Sequence, residues 1–321
     1  MERSKDLMLF GAEPTAHVFK GLWLFLLVYL GASVFASIMT PLSYWLVEWV
    51  NSVRPCELTQ YLLKKRVDIF YDRLRYAPIV MALPFVLHKC GLLSFKNLGI
   101  SFDAASLKIF AKFWLAGAAC VLFIFAIQAY FLGIKPDEER SISSCIIMPL
   151  LGGLTLGFLE ETIFRGFILR GLYSAFETLS AVVLCSLFFA YKHFKVPSSI
   201  WHVMPDGGHS AAWDSGFVVF YYDTVGIMQN FSLIVFLSLF AFGCMLCVFY
   251  IKKKSLNAPI GFHAGAVTLM LSLKNTFDYA TRSDFLFGDA SITNGAVGFA
   301  VMIAVLAFAV FAMKQSDKSL S

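Results

Sequence analysis

Apolar residues run along the chain in long uncharged blocks, and each block can be measured against a bilayer. A helix rises about 1.5 Å per residue, so about 20 apolar residues cross the roughly 30 Å of hydrocarbon. Residues 21–47, 113–134, 224–251 and 290–313 reach that length without a charge. The run 255–273 does so with one histidine, His263. Residues 178–191 are shorter and lead into Lys192 and His193, and 76–87 spans only if Arg75 and Lys89 reach back to the interface. A last block, 141–176, is interrupted by Glu160, Glu161, Arg165 and Arg170, and its Pro149, Gly152 and Gly153 predict a break that leaves a helix over 150–176. The pattern predicts an all-α, polytopic membrane protein of about eight transmembrane helices enclosing an intramembrane polar cavity.

Composition removes the other classes. The chain is 59% hydrophobic and 15% charged with a mean hydropathy of +0.73, against about 45–50% and about 25% for a soluble domain. That excludes a cytosolic enzyme, a disordered scaffold and a disulfide-rich secreted module. The net charge of +5 is scattered through short loops, so no nucleic-acid surface is expected. The seven cysteines lie mostly in apolar stretches, and Cys244 and Cys247, a CxxC inside an uncharged run, read as buried thiols. No A-x-A site follows the first apolar run, which reads as a retained span. Lys and Arg divide almost evenly between the two sides. Lys252–Lys254 against the Lys/Arg-free segment 196–223 places that segment outside and the N-terminus inside.

The charges within the blocks need explaining, because each costs about 2.5–3.5 kcal/mol on insertion. Glu161 and Arg165 stand four residues apart and can pair on one helix face. Glu160, about 100° away, has no partner on its own helix. If a hairpin turns near Glu177, Glu160 lies 17 residues before the turn and His193 lies 16 after it. Both are then roughly 25 Å from the turn and level with each other. The same count leaves His263 about two turns short of that level, measured from the Lys252–Lys254 turn. His202, Asp206, His209 and Asp214 read as a polar loop capping helix ends.

Glu-Glu-x-x-x-Arg at 160–165, Phe-x-x-x-His at 189–193 and the third-motif His263 resemble the CPBP family. These are the CAAX-protease and bacteriocin-processing (Abi) intramembrane proteases, including the Rce-type prenyl endopeptidases. The resemblance spans about residues 150–270. It divides the chain into N-terminal membrane helices (1–140), a catalytic helical core (141–275) and a C-terminal span with its tail (276–321). It implies that Glu160 activates the hydrolytic water, that Glu161 and Arg165 orient the site, and that His193 and His263 position water or bind the oxyanion. Phe189 and Val267 would line the site. The family's third motif usually carries Asn or Asp where this chain has Val267.

Hydrolysis inside a membrane needs a water-holding cavity, a base, and donors aimed at the developing oxyanion. Glu160, His193 and His263 are also a donor set for a zinc ion with one open position. No His-Glu-x-x-His spacing supports a metal, so no cofactor is fixed by the sequence. The expected partners are the lipid bilayer and a peptide or protein with a membrane-proximal C-terminal segment. Two other classes stay open: a non-catalytic immunity or scaffold protein of the same fold, favoured by Val267, and a proton-coupled transporter, for which no repeat is visible.

Overall fold

The computed structural model describes residues 16–136, 141–194, 196–278, 285–288 and 294–318. Helices carry most of them: α1 (Ala16–Val53), α2 (Glu57–Leu63), α3 (Val67–Lys89), α4 (Phe95–Leu98), α5 (Ala104–Leu132), α6 (Ser143–Tyr173), α7 (Thr178–Lys192), α8 (Ser215–Thr224), α9 (Leu233–Lys253), α10 (Asn257–Thr276) and α11 (Ala296–Lys318). The expected all-α fold is observed, with one addition. Lys135–Pro136 (β1) and Phe277–Asp278 (β2) pair antiparallel.

Among the described residues, four helices are long and apolar enough to cross a membrane: Val18–Val53, Ala104–Leu132, Ser143–Tyr173 and Leu233–Lys253. Thr178–Lys192 and Ala296–Phe311 are shorter apolar helices. Trp23, Leu27 and Trp49 on α1, and Leu115 and Phe123 on α5, are exposed. A surface of this kind is solvated by lipid and not by water, and the chain is an integral membrane protein. The run expected over 224–251 becomes helical only at Leu233, because Gly226–Asn230 forms a 3₁₀ turn first. Residues 290–293 of the last expected span lie outside the described residues.

The described residues form two compact units, those within 20–90 and 194–231, and those within 16–19, 91–193 and 232–318. The expected boundaries at 140/141 and 275/276 coincide with none of these edges. In the first unit, Tyr44, Val67, Tyr71, Ile200, Met204 and Val219 form a buried cluster. Arg75 does not reach for an interface as the sequence suggests. It is buried, bonded to Asp72 at 2.8 Å and to Asp223 on α8. A guanidinium with two carboxylates is cheaper to bury than one stretched alone through lipid. The polar 196–223 segment folds back on α1: the Tyr44 hydroxyl donates to the His209 carbonyl at 2.5 Å, and Trp45 Nε1 to that of Ala211 at 2.9 Å.

In the second unit, α10 packs against α5 and α6, while α9 packs against α7 and α11. Small residues set the distances. A Cβ on Gly261 or Gly265 would run into the Phe110 or Trp114 carbonyl of α5, and one on Gly157 would come within 2.9 Å of the Ala264 nitrogen. The backbones therefore touch, as they do at tight membrane helix crossings. Gly265→Ala should lower stability by about 1–3 kcal/mol. Thermal unfolding in detergent reads this, and an unchanged melting temperature would mean that the helices are not in backbone contact.

α6 is one continuous helix, without the expected break over 149–153. Its irregularities are π turns at Ser143–Ile147 and Thr162–Leu169. Pro149 lacks the N–H that would bond the Cys145 carbonyl, and the Ser272 hydroxyl of α10 donates to that carbonyl instead. The freed acceptor is satisfied sideways, so the helix need not break.

Candidate active site

The site grows from the second π turn. Residues 164–171 are buried without a gap, so the helix is enclosed on every side there. Opening to π geometry shifts carbonyls off their usual donors. The Phe164 carbonyl accepts from the Cys185 thiol of α7 at 3.4 Å. Glu160 and Glu161 are the last two residues before this turn.

Glu161 and Arg165 pair as the sequence predicts, Nη1 donating to Oε1 at 2.8 Å, with both side chains at 0% exposure. The same Oε1 lies 2.8 Å from Nδ1 of His263. A carboxylate oxygen accepts, so His263 carries its proton on Nδ1 in this bond. Arg165 Nη2 donates to the Gly243 carbonyl of α9 at 3.0 Å, and the Phe189 ring lies 4.6 Å from the guanidinium carbon.

Glu160 points elsewhere, as its rotation requires. Its Oε2 lies 3.4 Å from Nε2 of His193 and 3.9 Å from Nε2 of His263. Both separations are longer than a charge-assisted hydrogen bond. His193 caps the end of α7, where its Nδ1 is 2.7 Å from the Phe189 carbonyl. That carbonyl can only accept, which fixes the proton on Nδ1 and leaves the neutral ring's Nε2 lone pair facing Glu160. The side chains of Glu160 and His193 are 27% and 29% exposed, whereas that of His263 is 4% exposed. The site thus has an accessible half, Glu160 with His193, and a sealed half, Glu161, Arg165 and His263.

His263 reaches this level although the count from the Lys252–Lys254 turn leaves it short. That count assumes that the turn is level with Glu177. It is not. A Cβ on Gly166 would lie 3.1 Å from Leu256, and the Leu256 N–H donates to the Gly99 carbonyl at 2.8 Å. The turn therefore sits beside Gly166, and the short steps from Gly166 back to Glu160 and from Leu256 forward to His263 are nearly equal.

Of the other expected site residues, Phe189 is fully buried and touches both histidines, with ring centroids 4.1 Å from His193 and 6.1 Å from His263. Val267 is half-buried, about one turn beyond His263 on α10. Two contributors on α9 escape sequence reasoning: Phe242, edge-on to His263 at 5.4 Å, and the Gly243 carbonyl. Nothing in an uncharged run marks which carbonyl will meet an arginine. Among the described residues, no group of three or more His, Cys, Asp and Glu side chains is arranged to hold a metal ion. The donors Glu160, His193 and His263 do not form such a group, and no step below runs through one.

Residues 142–269 match the model of the family described as type II CAAX prenyl endopeptidase Rce1-like. No curated protein and no solved structure matches the chain. The matched segment contains all of α6, α7, α8 and α9, and α10 past His263 and Val267. Motifs, buried site and family match fall on the same stretch, and residues 142–269 are similar to the Rce1-like CAAX prenyl endopeptidase family.

Proposed function

We propose that the protein is a multi-pass intramembrane endopeptidase that hydrolyses a peptide bond near the C-terminus of a membrane-associated protein or peptide, using a water activated by Glu160. The observation that carries the reading is the buried Glu160 Oε2, without a hydrogen-bond partner on a side chain that is 27% exposed, facing two imidazole Nε2 atoms at 3.4 and 3.9 Å. Glu160 Oε2 and the neutral His193 Nε2 are two acceptors turned to one space. A water there donates its hydrogens to both and is left with a lone pair for the scissile carbonyl.

Charge balance supplies the oxyanion donor. Two carboxylates and one guanidinium leave the cluster one positive charge short of neutrality, and a low-dielectric site favours balance. An imidazolium at His263, between the two carboxylates, provides it. Its Nδ1–H is held by Glu161, and its Nε2–H is free to turn to the tetrahedral oxyanion. Glu160 takes the proton from water as the C–O bond forms and passes it to the nitrogen as the C–N bond breaks. The substrate's C-terminal segment leaves as an amine. Arg165 keeps Glu161 ionised and fixed, and so fixes the His263 ring.

Val267 stands where the family's third motif usually carries a polar group, so one hydrogen bond to water or oxyanion is missing. Val267→Asn should raise turnover on tail peptides while leaving expression intact. If the amide finds no partner, it costs about 1–3 kcal/mol of stability instead. A destabilised variant without gain would mean that another group already fills the role. Turnover and detergent melting, measured together, separate the two.

A further inference from the structure

The α1 helix supplies a depth scale for the unit that contains it. Its uncharged run 21–47 centres on Val34, and each residue away from Val34 is a step of about 1.5 Å. The polar segment after α7 can be placed on this scale contact by contact. The His209 and Ala211 carbonyls accept from Tyr44 and Trp45, about 15 Å from the centre and level with the edge of the hydrocarbon. Gly216 comes next. A Cβ there would lie 2.1 Å from the Ser37 carbonyl oxygen, only about 5 Å from the centre. Asp223 then pairs with Arg75, whose guanidinium carbon is 6.0 Å from the Tyr29 ring centroid. Tyr29 lies about 8 Å from Val34 on the far side. The segment therefore descends along α1 in register, from the interface to beyond the middle of the bilayer.

α8 is also built the wrong way round for water. Ser215, Val219 and Asp223 share one face and are buried, whereas Phe217, Tyr221 and Val225 lie opposite and are exposed. A helix beside water turns its acid outward and its aromatics inward. One in hydrocarbon keeps its acid paired inside the protein. With ten residues α8 is about 15 Å long, half of a span. Non-helical backbone at membrane depth has to be satisfied by protein. Ahead of α8 it is, because besides the two carbonyls above the Ala212 N–H donates to the Ser215 hydroxyl at 2.8 Å. We propose that residues 209–225, within the segment that reads as an outside loop, enter the bilayer, and that lipid acyl chains cover the face formed by Phe217, Tyr221 and Val225. α8 is then an intramembrane half-helix, held to α3 by the Arg75–Asp223 pair.

The test is a depth measurement on the full-length protein in phosphatidylcholine vesicles. The protein with the exposed Cys56 replaced by serine serves as the blank. In that background Ser210→Cys, Phe217→Cys, Tyr221→Cys and Val225→Cys each carry a nitroxide label. Collisions with oxygen, which concentrates in hydrocarbon, are compared with collisions with a water-soluble nickel chelate. The labels at 217 and 221 should collide mainly with oxygen and read depths within about 10 Å of the bilayer centre. The label at 225 should favour oxygen as well. The label at 210 should read about 15 Å, at the hydrocarbon edge, and meet the nickel chelate most often of the four. Three positions on the face leave two readings if one labelled variant does not fold. Nickel collisions at 217 and 221 as frequent as at 210 would put α8 in water and overturn the proposal. Few collisions with either reagent at all three positions would mean that a second copy of the chain covers the face, and would overturn lipid as its occupant.

Discussion

Replacing Glu160 by glutamine should give a protein that folds like the parent and does not cleave. The amide keeps the size of the carboxylate and can donate to the His193 Nε2 that Oε2 faces at 3.4 Å. Removing a carboxylate oxygen that is buried without a hydrogen-bond partner also relieves its desolvation. Turnover should fall by about 10²–10⁴-fold, the usual contribution of a general base. Glu161 cannot stand in, because its side chain is at 0% exposure and is held by Arg165 and His263 at 2.8 Å each. Detergent melting together with peptide cleavage gives both readings. Melting far below the parent would make Glu160 a structural group and leave the loss of rate unexplained.

Glu161→Gln should behave differently, losing both rate and stability. The side chain is at 0% exposure beside an Arg165 at 0% exposure, so the substitution leaves a guanidinium buried without an anion. Removing one partner of a buried pair costs about 3–5 kcal/mol, and an amide that retains the acceptor oxygen recovers part of it. A drop of several degrees in melting temperature is expected, because each 1 kcal/mol shifts it by about 2–4 °C in chains of moderate size. Rate falls as well, since His263 loses the carboxylate that holds its Nδ1–H and orients its ring. If Glu161→Gln melts with the parent, the buried pair is not holding the helix.

How much of this was legible in the sequence follows from which contacts are local. Glu161–Arg165 is an i,i+4 pair on one helix and could be read directly. The Glu160–His193 level could be counted because α6 and α7 form a tight hairpin, with only residues 174–177 between them. The His263 level could not. It depends on the contact of Leu256 with Gly166, made between helices distant in sequence. The expected break at Pro149 failed for a similar reason, because the Ser272 hydroxyl that satisfies Cys145 comes from α10. Arg75 was read as reaching for the interface because its partner Asp223 lies in a segment that looks like a loop. The β1–β2 pair joins two-residue strands on either side of five helices, α6 to α10, and no local pattern marks it. The glycines of α10 were visible, but only the structure shows that each faces a backbone carbonyl.

The central claim is that this chain breaks peptide bonds with a Glu160-activated water. It is tested most directly by incubating the purified protein in detergent with a library of C-terminal tail peptides, prenylated and unprenylated, and reading the products by mass spectrometry beside Glu160→Gln. The account predicts that the parent yields paired fragments whose masses sum to one peptide plus one water, and that Glu160→Gln yields none. Equal fragments from both proteins, or no fragments from the parent across the library, would contradict it.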